Sequence, residues 1–447
     1  MTGGDAGDAT RLLARFVANQ SGRDIPHAVR AVFQLSLQDW VSVALAGTDE
    51  PVSRRVRAMV VEEGGAPQAQ VIHGPRLPAR AAALANGTIS HALDYDDTHF
   101  DHIGHPSVAV IPAALAMAQR SAVSGHAFQE AALVGMEASI AVGLWLGRAH
   151  YQVGFHQTAT AGAFGAAAAA GRLLKFDADQ MACCFGLVAT RASGLKSQFG
   201  TMGKPLNAGN AASNGVEAAL LVAHGLQPDP AGLDGPLGFG ATHHGAADMT
   251  AFDGLGTDWR LPRVQHKFHA CCHGLHATLE ALAELPNPDP SEVARIDIAV
   301  HPRWLSVCAK PAPRTGLELK FSYAGVTALA LLGHGTARLD TFSTAMAQDP
   351  RVMAFYDRVH VTADDTLTEM QARVILTRQG GTQETAFGDL EKPMTLAQRT
   401  RRIQSKSASL IGTDKSNTLR RRVVAAVSPT QFATLLTKGE NGDGKAA

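Results

Sequence analysis

Hydrophobic residues recur at three- and four-residue spacing over most of the first half of the chain. Near the start, Val29, Phe33 and Leu37 fall on one face of a helix that the Pro26 turn can begin. Further runs of helical period cover residues 78–92, 106–121, 125–147, 157–174, 178–192 and 206–224. The pattern therefore predicts a large all-helical domain over residues 1–265.

The pattern changes after a Gly- and Pro-rich stretch at about residues 226–262, which we interpret as a long loop or lid. Ile296, Ile298 and Val300 then alternate with other residues, as in a half-buried strand. The pair Gly380-Gly381 predicts a β-hairpin between two short alternating segments. Helical period is also present at 275–285 and 322–332. These features predict a smaller α+β domain, with antiparallel strands, over residues 266–394.

Helical period returns at about residue 395, and we expect residues 395–440 to pack back on the first domain. The fold class is accordingly mainly α, with a large all-helical domain and a smaller α+β lid domain. The last ten residues, KGENGDGKAA, have the composition of a disordered tail.

The composition narrows the possible partners. Forty basic and forty acidic residues cancel, so no overall field directs the protein to nucleic acid or to a membrane, and we expect neither as a partner. A small anionic substrate would instead require local positive groups. Five cysteines in 447 residues do not form a disulfide framework, which favours a reducing compartment such as the cytoplasm.

One segment is unusually rich in titratable residues. The sequence HALDYDDTHFDHIGHPS, residues 91–107, holds four aspartates and four histidines, and Pro106 can begin the helix that follows. A polar loop between two helices can deliver carboxylates and imidazoles to a cleft. The alternative is a solvated surface loop.

Two further segments place a titratable residue where a helix begins. His156 precedes a helix of small residues, where the helix N-terminus favours an anion and lowers the pKa of a nearby imidazole. Lys204 precedes Pro205 in a Gly-rich stretch that lacks the Ser or Thr of a phosphate loop. Lys204 could bind a carboxylate or act as an acid or base. Capping or packing for His156, and a surface position for Lys204, are the simpler alternatives.

The segment HKFHACCHGLH, residues 266–276, combines four histidines with two cysteines. Such a set raises the possibility of zinc, but the spacing matches neither a pair of Cys-x-x-Cys motifs nor His-Glu-x-x-His. We therefore expect no metal here and keep a non-enzymatic, metal-binding helical scaffold as the alternative of a different class.

Taken in this order, the motifs HALDYDDTH, HPS, Gly-Thr-Met-Gly-Lys-Pro-Leu and a lysine before a Cys-Cys pair resemble the MmgE/PrpD family over about residues 8–412. The family includes 2-methylcitrate dehydratase, cis-aconitate decarboxylase and iminodisuccinate epimerase. The resemblance implies an all-helical domain, an α+β lid, a homodimer, an active site between the domains, and no metal or organic cofactor.

The resemblance also implies roles for individual residues. The catalytic set that it implies is Asp94, His105, His156, Lys204 and Lys267. The substrate-binding set is Thr98, Asn207, Cys272 and His276. We expect the two lysines to hold carboxylates and developing charge, His105 or His156 to move a proton, and Asp94 to orient a histidine.

Two departures from the family pattern affect the choice of reaction. Asn207 stands where many members carry a histidine, and Gly325 stands where some carry a tyrosine, with Tyr323 two residues earlier. The activity expected from the sequence is proton transfer alpha to a carboxylate of a small di- or tricarboxylate. Epimerisation of iminodisuccinate ranks first, because it needs no group to assist a departing hydroxyl. A 2-methylcitrate-type dehydratase and a cis-aconitate-type decarboxylase are the alternatives.

Overall fold

The computed structural model describes residues 8–286, 289–308 and 310–438. The predicted disordered tail falls outside them except for Lys438. Residues up to His266 and from Ile411 onward form one compact unit, and Lys267–Leu410 form a second. The late segment expected on the first domain is thus divided, since its residues up to Leu410 belong to the second unit.

The helices, numbered along the chain, are α1 Asp8–Asn19, α2 His27–Ala46, α3 Pro51–Glu63, α4 Ala79–His91, α5 Pro106–Arg120, α6 Gly125–Gln152, α7 Gln157–Leu173, α8 Ala178–Ala189, α9 Gly203–Ala223, α10 Phe239–Thr242, α11 His276–Glu284, α12 Arg303–Cys308, α13 Gly316–Leu319, α14 Tyr323–Leu331, α15 Thr344–Ala347, α16 Pro350–Met353, α17 Leu396–Ile411, α18 Thr413–Val424 and α19 Pro429–Ala433. The strands are β1 Ala69–Gln70, β2 Arg76–Leu77, β3 Val293–Val300, β4 Val359–Ala363, β5 Gln371–Arg378 and β6 Gln383–Asp389.

The first unit is the large helical domain that the periodicity predicts, with a short antiparallel β1–β2 ribbon added. Its core consists mainly of Ala, Val and Leu from α4 to α9. Helix α6 is long and apolar enough to cross a membrane by length and composition, but 83% of its most apolar window is buried within the protein. We therefore interpret α6 as a core helix of the first unit.

Small residues allow these helices to approach closely. A Cβ atom added to Gly165 on α7 would lie 2.6 Å from the carbonyl oxygen of Gly135 on α6. One added to Gly87 on α4 would lie 2.9 Å from the Cα of Gly209 on α9. Both distances are too short for real Cβ contacts, so glycine at these positions sets the helix separation and brings the helix ends together.

The second unit is α+β, as predicted. Within its described part, a sheet has the order β4-β3-β5-β6, and β5 and β6 form the hairpin predicted around Gly380-Gly381. The expectation of antiparallel strands is wrong for one pair, because β3 and β4 are parallel. A parallel pair needs a long crossover, and helices α12 to α16 lie between these two strands in the chain.

We expect Gly165→Ala to destabilise the protein, although alanine favours helix by about 1 kcal/mol. The added methyl would force α6 and α7 apart at a cost of about 1–3 kcal/mol. Thermal unfolding followed by circular dichroism should show a midpoint several degrees lower. Gly380→Ala is the control, since its added Cβ meets nothing within 4 Å. An unchanged midpoint for Gly165→Ala would contradict the close-packing account.

Candidate active site

Four helix ends meet in the first unit. Helix α4 ends at His91, His105 and His156 are the N-cap residues of α5 and α7, and Lys204 lies in the first turn of α9. Helix N-termini carry partial positive charge and free N–H groups. Three such termini beside one another favour a bound anion.

Asp94 links the two groups expected to act on the substrate. One of its oxygens lies 2.6 Å from Lys204 Nζ, and the other lies 3.5 Å from His105 Nε2. The residue has a φ of +51°, a left-handed conformation that Asp tolerates better than most residues. Such conformations are concentrated at functional sites. Asp94 thus lies between a cation and an imidazole at the partly exposed edge of the cluster.

Asp96 forms the buried end of the same cluster. Its side chain is fully buried, and its two oxygens lie 2.9 Å from His91 Nδ1 and 2.8 Å from His105 Nδ1. Burial works to raise the pKa of Asp96, but the nearby charges of His91 and His105 and the hydrogen bond from His91 hold it well below its ordinary range. An ionised carboxylate only accepts hydrogen bonds, so Nδ1 of His91 carries hydrogen, whereas the contact with Nδ1 of His105 is an ion pair without hydrogen-bond geometry.

His156 is a neutral imidazole at the N-terminus of α7. Burial, followed by the charge of Lys204, lowers the pKa of His156 well below 6.5. The amide nitrogen of Asn207 donates to its Nδ1 at 3.3 Å and to the carbonyl of Leu195 at 3.4 Å. This network assigns the ring hydrogen of His156 to Nε2. The edge of the ring packs on Phe199, with centroids 4.9 Å apart.

Other residues of the Asp/His-rich loop hold the loop in place. Thr98 forms a β-bridge with Gln265 and donates to its carbonyl. Burial lowers the pKa of His99 to about 4 and that of His102 to about 3. His99 Nε2 lies 3.1 Å from the carbonyl of Arg260, so His99 serves as a neutral buried donor. The N–H of His105 donates to Thr158 Oγ1 at 3.1 Å and so joins the loop to α7.

Ligand atoms of His91, Asp94, Asp96 and His105 lie within 4.8 Å of one another, as in a metal site. However, Asp96 already accepts a hydrogen bond from His91 and pairs with His105, and the ammonium of Lys204 neutralises Asp94. We therefore interpret the set as an acid–base cluster.

The other predicted residues lie in the second unit. Lys267 is buried at its first position, and the N–H of Cys272 donates to the carbonyl of Lys320 at 2.9 Å. His276 begins α11, and its pKa lies well below 6.5 because of burial and then the charge of His273. Tyr323 is also buried, and its hydroxyl donates to the carbonyl of Gly274 at 2.9 Å.

The first unit thus brings together Asp94, His105, His156, Lys204 and Asn207, whereas Thr98 anchors the loop that carries Asp94. Sequence reasoning missed His91 and Asp96 as members of the site. Both lie inside the motif already singled out, so the available signal was the density of Asp and His rather than any one position.

Comparison with known proteins supports the resemblance seen in the motifs. Residues 11–251 match the family model of the MmgE/PrpD N-terminal domain, and residues 269–426 match that of the C-terminal domain. A cis-aconitate decarboxylase-like protein of Aspergillus oryzae is 27% identical over 386 residues, which cover 79% of each chain. The cis-aconitate decarboxylase of Aspergillus terreus is 28% identical over 65% of this chain and 62% of its own length. The human cis-aconitate decarboxylase is 26% identical over 77% of this chain and 76% of its own.

Asp97, next to Asp96 in the chain, provides a test of charge burial beside the site. Burial raises the pKa of Asp97 from 3.8 to about 7, so the folded state keeps a proton that the unfolded state loses. This carboxyl therefore costs stability increasingly as pH rises from about 4 to 7. The free energy of unfolding of Asp97→Asn, relative to that of the wild type, should therefore rise by roughly 2 kcal/mol from pH 5 to pH 8.

Chemical denaturation at several pH values measures this difference. Asp101→Asn, an exposed change in the same loop, is the control and should show little pH-dependent difference. A constant difference between Asp97→Asn and the wild type from pH 5 to pH 8 would contradict the buried-carboxyl account.

Proposed function

Since the chain belongs to the MmgE/PrpD family, we propose that it is a lyase that decarboxylates a small unsaturated tricarboxylate such as cis-aconitate. The named relatives support this reaction, which the sequence alone ranks behind epimerisation. That ranking relies on two replaced side chains, Asn207 and Gly325. Asn207, however, has a clear role here through its hydrogen bond to His156, so its presence gives no reason to prefer epimerisation.

One observation carries the proposal: a continuous series of contacts from Lys204 through Asp94 and His105 to Asp96. The side chains of Asp94, Lys204 and His105 are 44%, 17% and 11% exposed, whereas Asp96 is fully buried. A substrate can therefore reach the ammonium and the imidazole, while the carboxylate that supports the imidazole stays away from water.

Anion binding follows from the same residues. Lys204 offers a compact positive charge, and the N-termini of α5, α7 and α9 add their partial charges. A tricarboxylate could place one carboxylate at Lys204 in competition with Asp94. Lys267, Cys272 and His276 remain predicted contributors to catalysis and substrate binding.

The reaction needs one proton and releases one molecule of CO2. The bond between a carbon and the departing carboxylate breaks, and its electron pair forms a new double bond as the original double bond shifts. The electron pair of the original double bond moves to the carbon next to a remaining carboxylate, and that carbon must receive a proton. In the proposal, His105 in its imidazolium form donates that proton from Nε2 and becomes neutral, with its Nδ1 hydrogen facing the carboxylate of Asp96.

Negative charge that develops on the carboxylate beside the reacting carbon also needs stabilisation. Lys204 supplies charge, and His156 supplies a neutral N–H donor, because its pKa is too low for it to compete for the proton. A neutral imidazole is suited to this role, since it donates a hydrogen bond without changing its charge.

We expect Lys204→Ala and His105→Ala each to lower kcat/KM by about 100-fold or more, because each removes a group that acts in the transition state. Steady-state CO2 release measures this loss. Lys196→Ala is the matched control, since Lys196 precedes Lys204 in the chain and its ammonium contacts the carbonyl and the ring of Tyr151. Near wild-type turnover in both variants would remove the assignment of these residues.

The reaction itself is tested by NMR of the purified protein in heavy water with cis-aconitate, iminodisuccinate and 2-methylcitrate in separate samples. We expect cis-aconitate to lose CO2 and to gain one deuterium at a carbon next to a carboxylate. Deuterium exchange into iminodisuccinate without bond cleavage would instead identify an epimerase, and loss of water from 2-methylcitrate would identify a dehydratase. No change in any sample would favour the non-enzymatic scaffold.

A further inference from the structure

Asp96 is the one carboxylate of the cluster that substrate does not reach, yet it has the most polar contacts to imidazoles. One oxygen accepts a hydrogen bond from His91 Nδ1 at 2.9 Å, and the other lies 2.8 Å from His105 Nδ1 as an ion pair. The two rings are held edge to face, with centroids 4.7 Å apart. Because Asp96 is fully buried, its role cannot be direct contact with a substrate.

We propose that Asp96 is the positioning residue of the reaction: it holds His91 by a hydrogen bond, and its negative charge favours hydrogen on Nδ1 of His105, so that His91–Asp96–His105 acts as a store for the transferred proton. This inference rests on the proposed function for the meaning of that proton. The geometry of the store stands by itself.

The negative charge of Asp96, 2.8 Å from Nδ1, determines which nitrogen of His105 can act. Because this charge favours hydrogen on Nδ1, the proton that His105 gains or loses is the one at Nε2, the nitrogen that faces Asp94 at 3.5 Å. The carboxylate also stabilises the imidazolium form. Without Asp96, the neutral ring of His105 could carry its hydrogen on either nitrogen. The reactive nitrogen, Nε2, could then hold a hydrogen even when the ring is uncharged.

The second imidazole explains how such a charge can be buried. An ionised carboxylate away from water is costly unless it is paired and hydrogen-bonded. His91 satisfies the oxygen that His105 does not reach, and it also lies 6.1 Å from the ring of His156, stacked on it. The arrangement leaves Asp96 ionised and places a second protonatable ring beside His105.

The charge of His105 depends on several groups around it. They come from α4, the following loop, and the N-terminal ends of α7 and α9, and they are His91, Asp94, Asp96, His102, His156 and Lys204. Of these, Asp94 and Asp96 carry negative charge, and the pKa values of His102 and His156 lie below 6.5. Asp96 is the buried negative charge in direct contact with Nδ1.

The decisive variant is Asp96→Asn, which keeps the shape but offers one acceptor oxygen instead of two. We expect kcat for decarboxylation to fall by about 100-fold, with KM changed little because Asp96 does not touch substrate. The active form of His105 is protonated, so activity falls as pH rises through its pKa. Loss of the carboxylate should move this basic limb to lower pH by about one unit.

Two controls separate positioning from general damage. Asp96→Glu restores the carboxylate and should return the basic limb towards its wild-type position. Asp97→Asn changes a neighbouring carboxyl with the same burial and should leave the basic limb in place. A folded Asp96→Asn variant whose basic limb coincides with that of the wild type would overturn the proposal.

A measurement independent of activity covers the case in which Asp96→Asn fails to fold. Nitrogen-15 NMR of the histidine rings in the intact wild-type protein reports which nitrogen carries hydrogen. We expect His91 and His105 to show hydrogen on Nδ1, assigned through His91→Asn and His105→Asn. Hydrogen only on Nε2 of His105 would refute the store. The Nδ1–H pattern without turnover of cis-aconitate would count against the proposed function alone.

Discussion

The negative charge of Asp96 inside the helical unit imposes the strictest constraint on this part of the molecule. A carboxylate in such a place is tolerated only if its charge is paired, and both of its partners here are imidazoles from different segments of the chain. The end of α4 and the start of α5 must therefore stay close enough for one carboxylate to contact an imidazole from each. The positions of His91 and His105 follow from that requirement, and Asp94 and Lys204 extend the same network to the surface of the unit.

Close packing of small residues makes this convergence possible. Glycines at the crossings of α6 with α7, and of α4 with α9, let the helix axes approach until backbone contacts backbone. The same holds where α9 crosses α7, because a Cβ atom added to Gly215 would lie 2.5 Å from the backbone nitrogen of Ala167, so a bulkier residue there would move α7 and α9 apart. His156 would then lose its amide partner on α9, Asn207. The Ala- and Gly-rich composition is in this sense part of the site, although none of these residues carries chemistry.

The sequence contained most of the fold and a large part of the site. Period and turn signals located the helices, strand β3 and the β5–β6 hairpin, because amphipathic spacing and Gly-Gly turns are local properties. The parallel pairing of β3 with β4 was not predictable in this way, since it depends on a crossover through many intervening residues. The motifs pointed to Asp94, His105, His156 and Lys204. The motifs could not show that Asp96, and not Asp97 beside it, joins the two imidazoles. The directions of these two neighbouring side chains are set by the folded backbone and are not visible in the sequence.

The left-handed backbone at Asp94 also limits how this site can evolve. At such a φ most side chains are strained, while glycine, asparagine and aspartate are accommodated at little cost. The replacements that the backbone accepts most easily thus remove the charge facing Lys204. Drift at this position would tend to yield stable, well-folded descendants with an uncompensated lysine, a starting point from which a different anionic ligand could be acquired without rebuilding the fold.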